Sequence, residues 1–360
     1  MRIVQIIDSL EAGGAERIAV QYANALSDKI AFSGLVVTRK EGPLLKTIAK
    51  NCSYLFLAKK KAMDWKAILK LRNYIRHNKV AMVHAHGTSF FTAVLLKISC
   101  PSIKIIWHEH YGARQDQSTL NNLRIVFCSL FFRAIFVVNK PLVGWVKQKL
   151  FCKKVFYIPN FAVLDLEKTP STVLKGTKGK RIVCVANLKD PKNHLALLVA
   201  FESLELSALG WSLHFVGKDY QDNYSDTLKD FLVTNNLSES VFLYGLKKDI
   251  SSILAQATIG VLASTSEGFP VSLLEYGLIG LPTLCANVGA CSEIIKNTTT
   301  GLLFDPNNTE DLKNQLHKII SDVRSRNQFG VSLQQLVLKE YSPETVLKQL
   351  IARYEEIQND

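Results

Sequence analysis

The sequence has no hydrophobic run long enough to span a membrane. Its 360 residues are 48% hydrophobic, but none of its apolar runs approaches the roughly 18 residues that a membrane-spanning helix needs. A signal peptide is also absent from the start of the chain, since Met1 and Arg2 lead directly into the short apolar run Ile3–Ile7. We therefore expect neither an integral membrane protein nor a secreted one.

Cysteine pairs of the kind that hold zinc or form disulfides are absent as well. The seven cysteines are scattered, odd in number and without any Cys-x-x-Cys spacing. This usage favours reduced, mostly buried thiols in a cytoplasmic protein over disulfides or structural zinc. The sequence also lacks Gly-x-Gly-x-x-Gly, so a nicotinamide cofactor is not favoured.

Acidic residues are scarce in the first half of the chain. Residues 1–160 contain 25 Lys and Arg against 8 Asp and Glu, a net charge of +17, whereas residues 161–360 carry −4. The densest basic part is residues 46–79, with ten Lys and Arg and one Asp. Such asymmetry indicates a polyanionic partner, either a nucleic acid or an anionic membrane surface, unless it merely solubilises a helix face.

Short apolar runs alternate with helix-length segments, which predicts parallel sheets covered by helices on both faces. The predicted strands of the first half are Ile3–Ile7, Gly34–Thr38, Tyr54–Leu57, Val80–His84, Lys104–Trp107, Ala134–Val138 and Val155–Ile158. Those of the second half are Arg181–Ala186, Ser212–Val216, Val241–Leu243, Ile259–Ala263, Thr283–Cys285 and Leu302–Phe304. The fold class is therefore α/β, with two Rossmann-like domains facing one another across a cleft.

The domain boundaries follow from where the strand and helix pattern is interrupted. We assign residues 1–162 to the first domain, 163–180 to a linker without a clear period, and 181–340 to the second domain. Residues 341–360 form a final helix with Val346, Leu350, Tyr354 and Ile357 on one face.

Ligands of such sheets bind beyond the carboxyl ends of the strands. Gly13 and Gly14 follow the first strand, where backbone can approach a ligand at a helix start. Histidines follow the fourth and fifth strands and either bind a metal ion or line the sheet edge without one, namely His84, His86, His108 and His110. Lys189 and Lys192 follow the first strand of the second half and precede a helix, which suits a diphosphate.

The stretch Ile259–Pro282 is a strand, a small polar turn and a helix that ends at Gly280. It holds two carboxylates, Glu267 in the turn and Glu275 in the helix. Free amides at such a turn suit an anionic or polyhydroxylated ligand. The alternative is that neither carboxylate binds a ligand, with Glu267 a solvated loop residue and Glu275 an exposed helix residue.

These motifs, in this order, resemble glycosyltransferase family 4, retaining enzymes of the GT-B fold. Glu267-Gly-Phe-Pro-x4-Glu275 is similar to the family's E-x7-E signature. The segments similar to its other motifs are Asp8–Arg17, Val83–His86, Ile158–Asn160, Val288–Ala290, Glu293–Ile295 and Gly301–Leu303. The resemblance therefore covers nearly the whole chain, and it implies that the final helix, residues 341–360, crosses back to the first domain.

The resemblance implies a role for each of these residues. Glu275 would bind the ribose of a nucleotide, and Glu267 the donor sugar together with the turn residues Gly268, Phe269, Pro270 and Val271. Lys192 would stabilise the leaving diphosphate, but Asn187 stands where the family usually has Arg. His110 would lie near the anomeric centre of the sugar. The catalytic residues implied are thus Glu267, His110 and Lys192, without metal or other cofactor.

The implied reaction is transfer of a sugar, with retention, from a nucleotide-diphosphate sugar to an acceptor hydroxyl. UDP-sugars are slightly preferred and GDP-sugars possible. The acceptor would be lipid-linked or a growing surface polysaccharide, such as lipopolysaccharide, O-antigen, capsule or exopolysaccharide. Because the first half is basic, the enzyme would be peripheral on the inner face of the cytoplasmic membrane. The lysines expected to meet the lipid are Lys59, Lys60, Lys61, Lys66 and Lys70.

Two other functions are compatible with parts of the pattern. A nucleotide-sugar epimerase of the same fold would need acid and base carboxylates from the first half, where the candidates are Glu11, Glu16, Glu109 and Asp116. A nucleic-acid-binding protein would suit the charge, but the basic half has no recognisable aromatic-rich RNA-binding motif and the glutamate pair would have no role.

Overall fold

A computed structural model describes residues 1–11, 13–112, 114, 117, 119–164 and 171–359. The central residues of the predicted linker, 165–170, lie outside this set, as does Asp116. Two compact units make up the chain: residues 1–160 with 344–360, and residues 161–343. Among the described residues, no helix is both long and apolar enough to cross a membrane.

The first unit contains a seven-stranded sheet in which all neighbours are parallel. Its strands are β1 (Arg2–Ser9), β2 (Phe32–Lys40), β3 (Ser53–Phe56), β4 (Met82–His86), β5 (Lys104–Glu109), β6 (Phe132–Val137) and β7 (Val155–Tyr157). The strand order is β3-β2-β1-β4-β5-β6-β7. The order reverses between β1 and β4, which makes the carboxyl ends of these two strands the ligand position of a doubly wound sheet.

The second unit repeats this plan with a six-stranded parallel sheet. Its strands are β8 (Arg181–Val185), β9 (Ser212–Val216), β10 (Val241–Leu243), β11 (Ile259–Leu262), β12 (Thr283–Ala286) and β13 (Leu302–Phe304). The order is β10-β9-β8-β11-β12-β13, so the reversal lies between β8 and β11. All thirteen predicted strands are present, which confirms two Rossmann-like sheets.

Thirteen helices are described. They are α1 (Gly14–Ser27), α2 (Trp65–His77), α3 (Phe90–Ser99), α4 (Thr119–Cys128), α5 (Lys140–Lys149), α6 (His194–Ser203), α7 (Asn223–Thr234), α8 (Ile250–Ala255), α9 (Val271–Ile279), α10 (Cys291–Ile294), α11 (Thr309–Ser321), α12 (Val323–Glu340) and α13 (Pro343–Asn359). Local chemistry sets their ends. The side chain of Asp64 caps α2 by accepting from the amide of Ala67, and left-handed Gly280 ends α9.

The strands are buried because helices cover both faces, as their near-continuous apolar sequences predict. In β1, for example, Ile3, Val4, Ile6 and their neighbours are shielded from solvent. All seven cysteines are buried free thiols, as predicted. The final helix, α13, belongs to the first unit, where Tyr354 packs against β1 and β4.

Candidate functional site

The predicted site residues of the second unit meet where its strand order reverses. The segment after β8 leads through Lys192 into α6, and the segment after β11 carries Glu267 into α9. These loops are neighbours because β8 and β11 pair in register, Ile259 beside Ile182. A strand order that no local pattern encodes therefore brings the two loops together.

Lys192 and Glu267 form an ion pair, with 2.6 Å between Nζ and Oε1. The side chain of Lys192 is 23% exposed and that of Glu267 only 9%. A solvated Glu267 is therefore the wrong alternative. Cys184 on β8 lies close enough that both charges affect its thiol, while burial raises its pKa to about 12. The pair is a partly desolvated charge pair at the sheet edge, where electrostatic forces are stronger than in water.

Residues 264–268, which carry Glu267 and which we call the glutamate turn, are held on both sides by neighbouring loops. On one side, the amide of Thr265 donates to the carbonyl of Pro191 at 2.8 Å. On the other, the amide of Ala290 donates to the carbonyl of Gly268 at 3.1 Å. Gly289 has a left-handed φ of +53°, and a Cβ placed there would lie 1.9 Å from the carbonyl oxygen of Glu267. Only glycine fits this contact without displacing the turn.

Helix α9 begins directly after the turn that carries Glu267. Pro270 occupies the N-cap position with extended backbone, and Val271 is the first helical residue. Glu275 is buried, at 7% exposure, which rules out an exposed helix position. Next to it, the Tyr276 hydroxyl accepts from the amide of Val185 on β8 at 2.8 Å. This bond fixes the helix that carries Glu275 to the centre of the sheet.

Asn187 has a structural contact of its own. Its side-chain oxygen accepts from the amide of Lys218 at 2.9 Å, which joins the loops after β8 and β9. The side chain of Lys189 is directed to the ring of Tyr220, 5.8 Å from the centroid. Lys192 is therefore the cation of this loop that reaches Glu267.

Three of the four candidate histidines of the first unit lie inside strands, whereas the sequence placed them after the strands. Strands β4 and β5 extend further than predicted, so His84, His86 and His108 lie within them and are fully buried. His86 pairs in register with His108. Side chains two residues apart share a sheet face, and these three stack with His110, which follows β5 and is half-buried.

Burial keeps these rings neutral. Desolvation lowers the pKa of His110 to about 3 and holds those of His84, His86 and His108 well below the ordinary value. His84, His86 and His108 also offer ring nitrogens within 4.8 Å of one another, the spacing of a possible metal site. Both nitrogens of His86 already have partners, His110 and Gln5, so metal binding by His86 would break one of these bonds.

The loop after β5 is held by a buried ion pair. Glu109 is 1% exposed and accepts from Nε of Arg114 at 2.6 Å and from the amide of Tyr111 at 2.8 Å. Burial nevertheless raises the pKa of Glu109. The pair anchors the loop that begins at His110.

The Gly13–Gly14 turn begins α1, with Gly13 at the N-cap position. The carboxylate of Glu16 lies over it, since a Cβ on Gly13 would be 2.1 Å from Glu16 Oε2. Glu16 also accepts from the hydroxyl of Ser9 at 3.2 Å. An anion at this helix start would have to displace the Glu16 carboxylate, so a phosphate is less suited to this position than its glycines suggest.

The buried histidines predict a pH dependence of stability. Each has a native pKa below the ordinary 6.5; for His194 and His214 burial lowers it to about 4. The unfolded chain therefore takes up protons first as the pH falls, and stability decreases from about pH 6.5 downward. At pH 5 the free energy of unfolding should drop by about 2 kcal/mol for His194 and by about the same for His214, whose native pKa values are about 4.

Thermal unfolding measured from pH 7.5 to 5.0 checks this expectation. His77 and His317 are exposed, so His77→Gln and His317→Gln should leave the pH profile unchanged. An equal Tm at pH 7.5 and pH 5.0 would show that the buried rings do not resist protonation.

Comparisons with known proteins establish the family. The model described as "Glycosyltransferase Family 4" matches residues 12–166, and that described as "Glycosyl transferases group 1" matches residues 166–334. Together they span both units. This chain belongs to the family 4, group 1 glycosyltransferases. It is therefore an enzyme of the glycosyltransferase class.

Two relatives show how far the likeness of this glycosyltransferase extends. One, from Escherichia coli, is a UDP-Gal:alpha-D-GlcNAc-diphosphoundecaprenol alpha-1,3-galactosyltransferase, 22% identical over 86% of this chain and 85% of its own. An amylovoran biosynthesis glycosyltransferase, AmsD of Erwinia amylovora, is 23% identical over 78% and 80%. HepE of Anabaena, solved with UDP and glucose, superposes with a TM-score of 0.85 at 15% identity, covering 99% and 100%. The GT-B fold is thereby confirmed.

Sequence reasoning missed several residues that this glycosyltransferase uses to build its loops and core. Gln5 and Tyr354 contact the histidines, and Tyr276 fixes α9, yet each reads as an ordinary core position. Gly289 stands out in the sequence only as part of the family motif Val288–Ala290. The available signal for its role is that it is an isolated glycine shortly after a predicted strand, because glycine at such a position often marks close approach of the backbone to a neighbour.

Proposed function

We propose that this glycosyltransferase transfers a sugar, with retention, from a nucleotide-diphosphate sugar to a lipid-linked or polysaccharide acceptor. A UDP-sugar is the preferred donor. The E. coli relative, by its name, uses UDP-Gal and a diphosphoundecaprenol acceptor, and HepE was solved with UDP. In this chain Glu275 would hold the ribose, Glu267 the sugar and Lys192 the diphosphate.

The observation that carries the proposal is the Lys192–Glu267 ion pair at the strand-order reversal of the second unit. A cation beside the start of α6 can neutralise charge that develops on a departing diphosphate. The same cation orients the Glu267 carboxylate, whose oxygens can accept hydrogen bonds from sugar hydroxyls. Donor binding requires neutralisation of the diphosphate charge and recognition of the sugar hydroxyls. Lys192 and Glu267, whose charged atoms lie 2.6 Å apart, would supply these two functions.

Retention is proposed to occur by attack on the face from which the nucleotide departs, through an oxocarbenium-like state. Glu267 is already ion-paired with Lys192, which lowers its value as a covalent nucleophile. A double displacement would require a free carboxylate at the anomeric carbon. Same-face attack needs only a stabilised leaving group, and Lys192 supplies the charge for this.

The epimerase alternative is less well supported by the carboxylates of the first unit. Glu11 pairs with Lys40 at 2.6 Å, Glu16 bonds to Ser9, and Glu109 is buried against Arg114. An epimerase would need such groups free to exchange protons. Incubation of the enzyme with the donor alone, followed by NMR, tests this directly, because an epimer formed without acceptor would exclude a transferase role.

A thermal-shift screen with UDP, GDP, ADP and their sugars tests donor binding. We expect UDP and a UDP-sugar to raise the Tm, since a ligand that binds only the folded state stabilises it. Glu275→Ala should abolish the shift, because the ribose hydroxyls lose their carboxylate. Glu239→Ala, which removes an exposed carboxylate of the same unit, should keep it. A screen in which no nucleotide changes the Tm would contradict the proposed function.

The membrane part of the proposal keeps the surface around α2 that the sequence suggested, but without Lys59. Lys59 is buried at 5% exposure and donates to the hydroxyl of Thr92 at 2.6 Å, so its expected role at the lipid is wrong. Lys60, Lys61 and Lys66 are exposed. Beside them lie three exposed apolar side chains: Met63, Trp65 and Leu69.

A second apolar surface lies on α4 and the turn that follows it. We call it the α4 patch; its exposed members are Leu123, Phe127, Leu130, Phe131 and Phe151. The amide of Phe151 donates to the Ser129 hydroxyl at 3.0 Å, which holds this residue beside the turn. Residues 117–164 contain seven Lys and Arg and no Asp or Glu.

Basic residues around an exposed apolar face are typical of a surface that docks on anionic lipid. Helix α3 packs against both α2 and α4, so the two apolar surfaces belong to neighbouring helices. We therefore propose that α2 and the α4 patch contact an anionic membrane, where a lipid-linked acceptor would be presented.

Vesicle binding tests this surface. The double variant Phe127→Glu and Leu130→Glu should weaken sedimentation with phosphatidylglycerol vesicles by about tenfold or more, since each apolar side chain contributes about 1.5–3 kcal/mol when buried. Val233→Glu, on an equally exposed apolar position of the second unit, should bind as the wild type does. Unchanged binding by the double variant would exclude the α4 patch. A salt-sensitive gel shift with nucleic acid would instead support the alternative function of a nucleic-acid-binding protein.

A further inference from the structure

A chain of hydrogen bonds connects the last helix to the ring of His110. The Tyr354 hydroxyl lies 2.6 Å from Nδ1 of His84 and 3.3 Å from Nε2 of Gln5. Oε1 of Gln5 lies 2.8 Å from Nε2 of His86, and Nδ1 of His86 lies 2.9 Å from Nε2 of His110. All of these side chains except His110 are fully buried.

The distances assign a direction to this chain. Bonds between two oxygens are normally about 2.7–2.8 Å long, and N–H···O bonds are longer. The structure orients the Gln5 amide with its nitrogen toward Tyr354, and the 3.3 Å length of this contact suits an amide N–H that donates to the phenol oxygen. The phenol proton is then donated along the short contact to His84. The carbonyl oxygen of Gln5 faces His86 and accepts a proton from it.

The direction determines the protonation of both remaining rings. A neutral imidazole has one donor nitrogen and one acceptor nitrogen. Since His86 donates to Gln5 from Nε2, its Nδ1 must accept, and His110 must donate from Nε2. Nδ1 of His110 then carries the lone pair, and this atom has no hydrogen-bond partner within the described part of the chain.

We propose that Gln5, His86 and Tyr354 are positioning residues that hold His110 in the tautomer protonated at Nε2. His110 then presents a hydrogen-bond acceptor at Nδ1 and cannot donate from that atom. If the sugar transfer proposed above is correct, a hydroxyl of the substrate donates to His110. The ring does not act as a proton donor there.

NMR of protein labelled with [15N]histidine tests the tautomer without any substrate. Two-bond proton–nitrogen correlations should show His110 protonated at Nε2, with the signal assigned through His110→Gln. Tyr354→Phe removes the hydroxyl that orients the Gln5 amide, so His110 should shift to the Nδ1 tautomer or to a mixture. Tyr74→Phe removes another hydroxyl of the same unit, bonded to Ser53, and should leave His110 unchanged.

Two outcomes would overturn the proposal: a wild-type His110 protonated at Nδ1, or a Tyr354→Phe protein with the wild-type tautomer. Turnover supplies a separate measurement. Tyr354→Phe should lower kcat about tenfold with KM for the donor nearly unchanged, whereas a purely structural role would lower the Tm alone. A wild-type protein that shows the expected tautomer but no transfer of any sugar would contradict the proposed function and leave the tautomer assignment standing.

Discussion

Lys192→Ala is expected to lower kcat for sugar transfer by about 10²–10³, the loss seen when one preorganised electrostatic contact to a developing charge is removed. Nζ of Lys192 lies 2.6 Å from Oε1 of Glu267 in a partly desolvated position. The substitution therefore removes the cation proposed for the diphosphate and leaves Glu267 without its partner. The measurement is the rate of nucleotide release with the donor identified by the thermal-shift screen.

Two further variants separate the charge from the ion pair. Lys192→Arg keeps the charge and should retain more activity than Lys192→Ala. Glu267→Gln keeps an acceptor for Lys192 but loses the carboxylate, so it should weaken sugar recognition more than nucleotide binding. Lys178→Ala removes an exposed lysine of the same unit and should leave kcat unchanged. Wild-type kcat in Lys192→Ala would exclude its role at the leaving group.

Gly289→Ala is expected to destabilise the second unit by about 2–5 kcal/mol and to weaken nucleotide binding. An alanine with φ of +53° costs about 1–2 kcal/mol. Its Cβ would also lie 1.9 Å from the carbonyl oxygen of Glu267. Overpacking of this kind costs about 1–3 kcal/mol more. The glutamate turn must move to relieve this overlap. The substitution should therefore weaken nucleotide binding as well as lower the free energy of unfolding.

Gly245→Ala is the matched control for this effect. Gly245 has a similar φ of +66°, but a Cβ there meets no atom within 4 Å. It should cost only the backbone strain, about 1–2 kcal/mol, and keep nucleotide binding. Chemical denaturation and UDP titration of both variants measure the difference. Equal losses in the two proteins would show that contact with the glutamate turn is unimportant.

The sequence was sufficient for the elements of the fold. Apolar runs predicted all thirteen strands, because burial on both faces leaves a nearly continuous hydrophobic signal in each one. The ends were less accurate: β4 and β5 extend through His86 and Glu109 because each pairs with its neighbour along its full length. As a result His84, His86 and His108 are buried strand residues instead of residues at the sheet edge.

The sequence proposes members for the candidate site but not the contacts between them. A local motif marks Lys192 and another marks Glu267, yet their ion pair joins residues 75 positions apart. The buried face of α2 was predictable from the spacing of Ile68, Leu71 and Ile75. The burial of Lys59 was not, because it depends on Thr92 of another helix.

By itself, the sequence of this glycosyltransferase determined two parallel sheets, buried thiols, a basic first half and the glutamate motif. These properties are local, since they depend on the period and composition of short segments. Tertiary structure alone decided that Lys192 contacts Glu267 and that the backbone of Gly289 lies directly against the glutamate turn. It also decided that Tyr354 is linked through Gln5 to the histidines. Such contacts follow from strand order and packing, which bring distant residues together and which no single segment encodes.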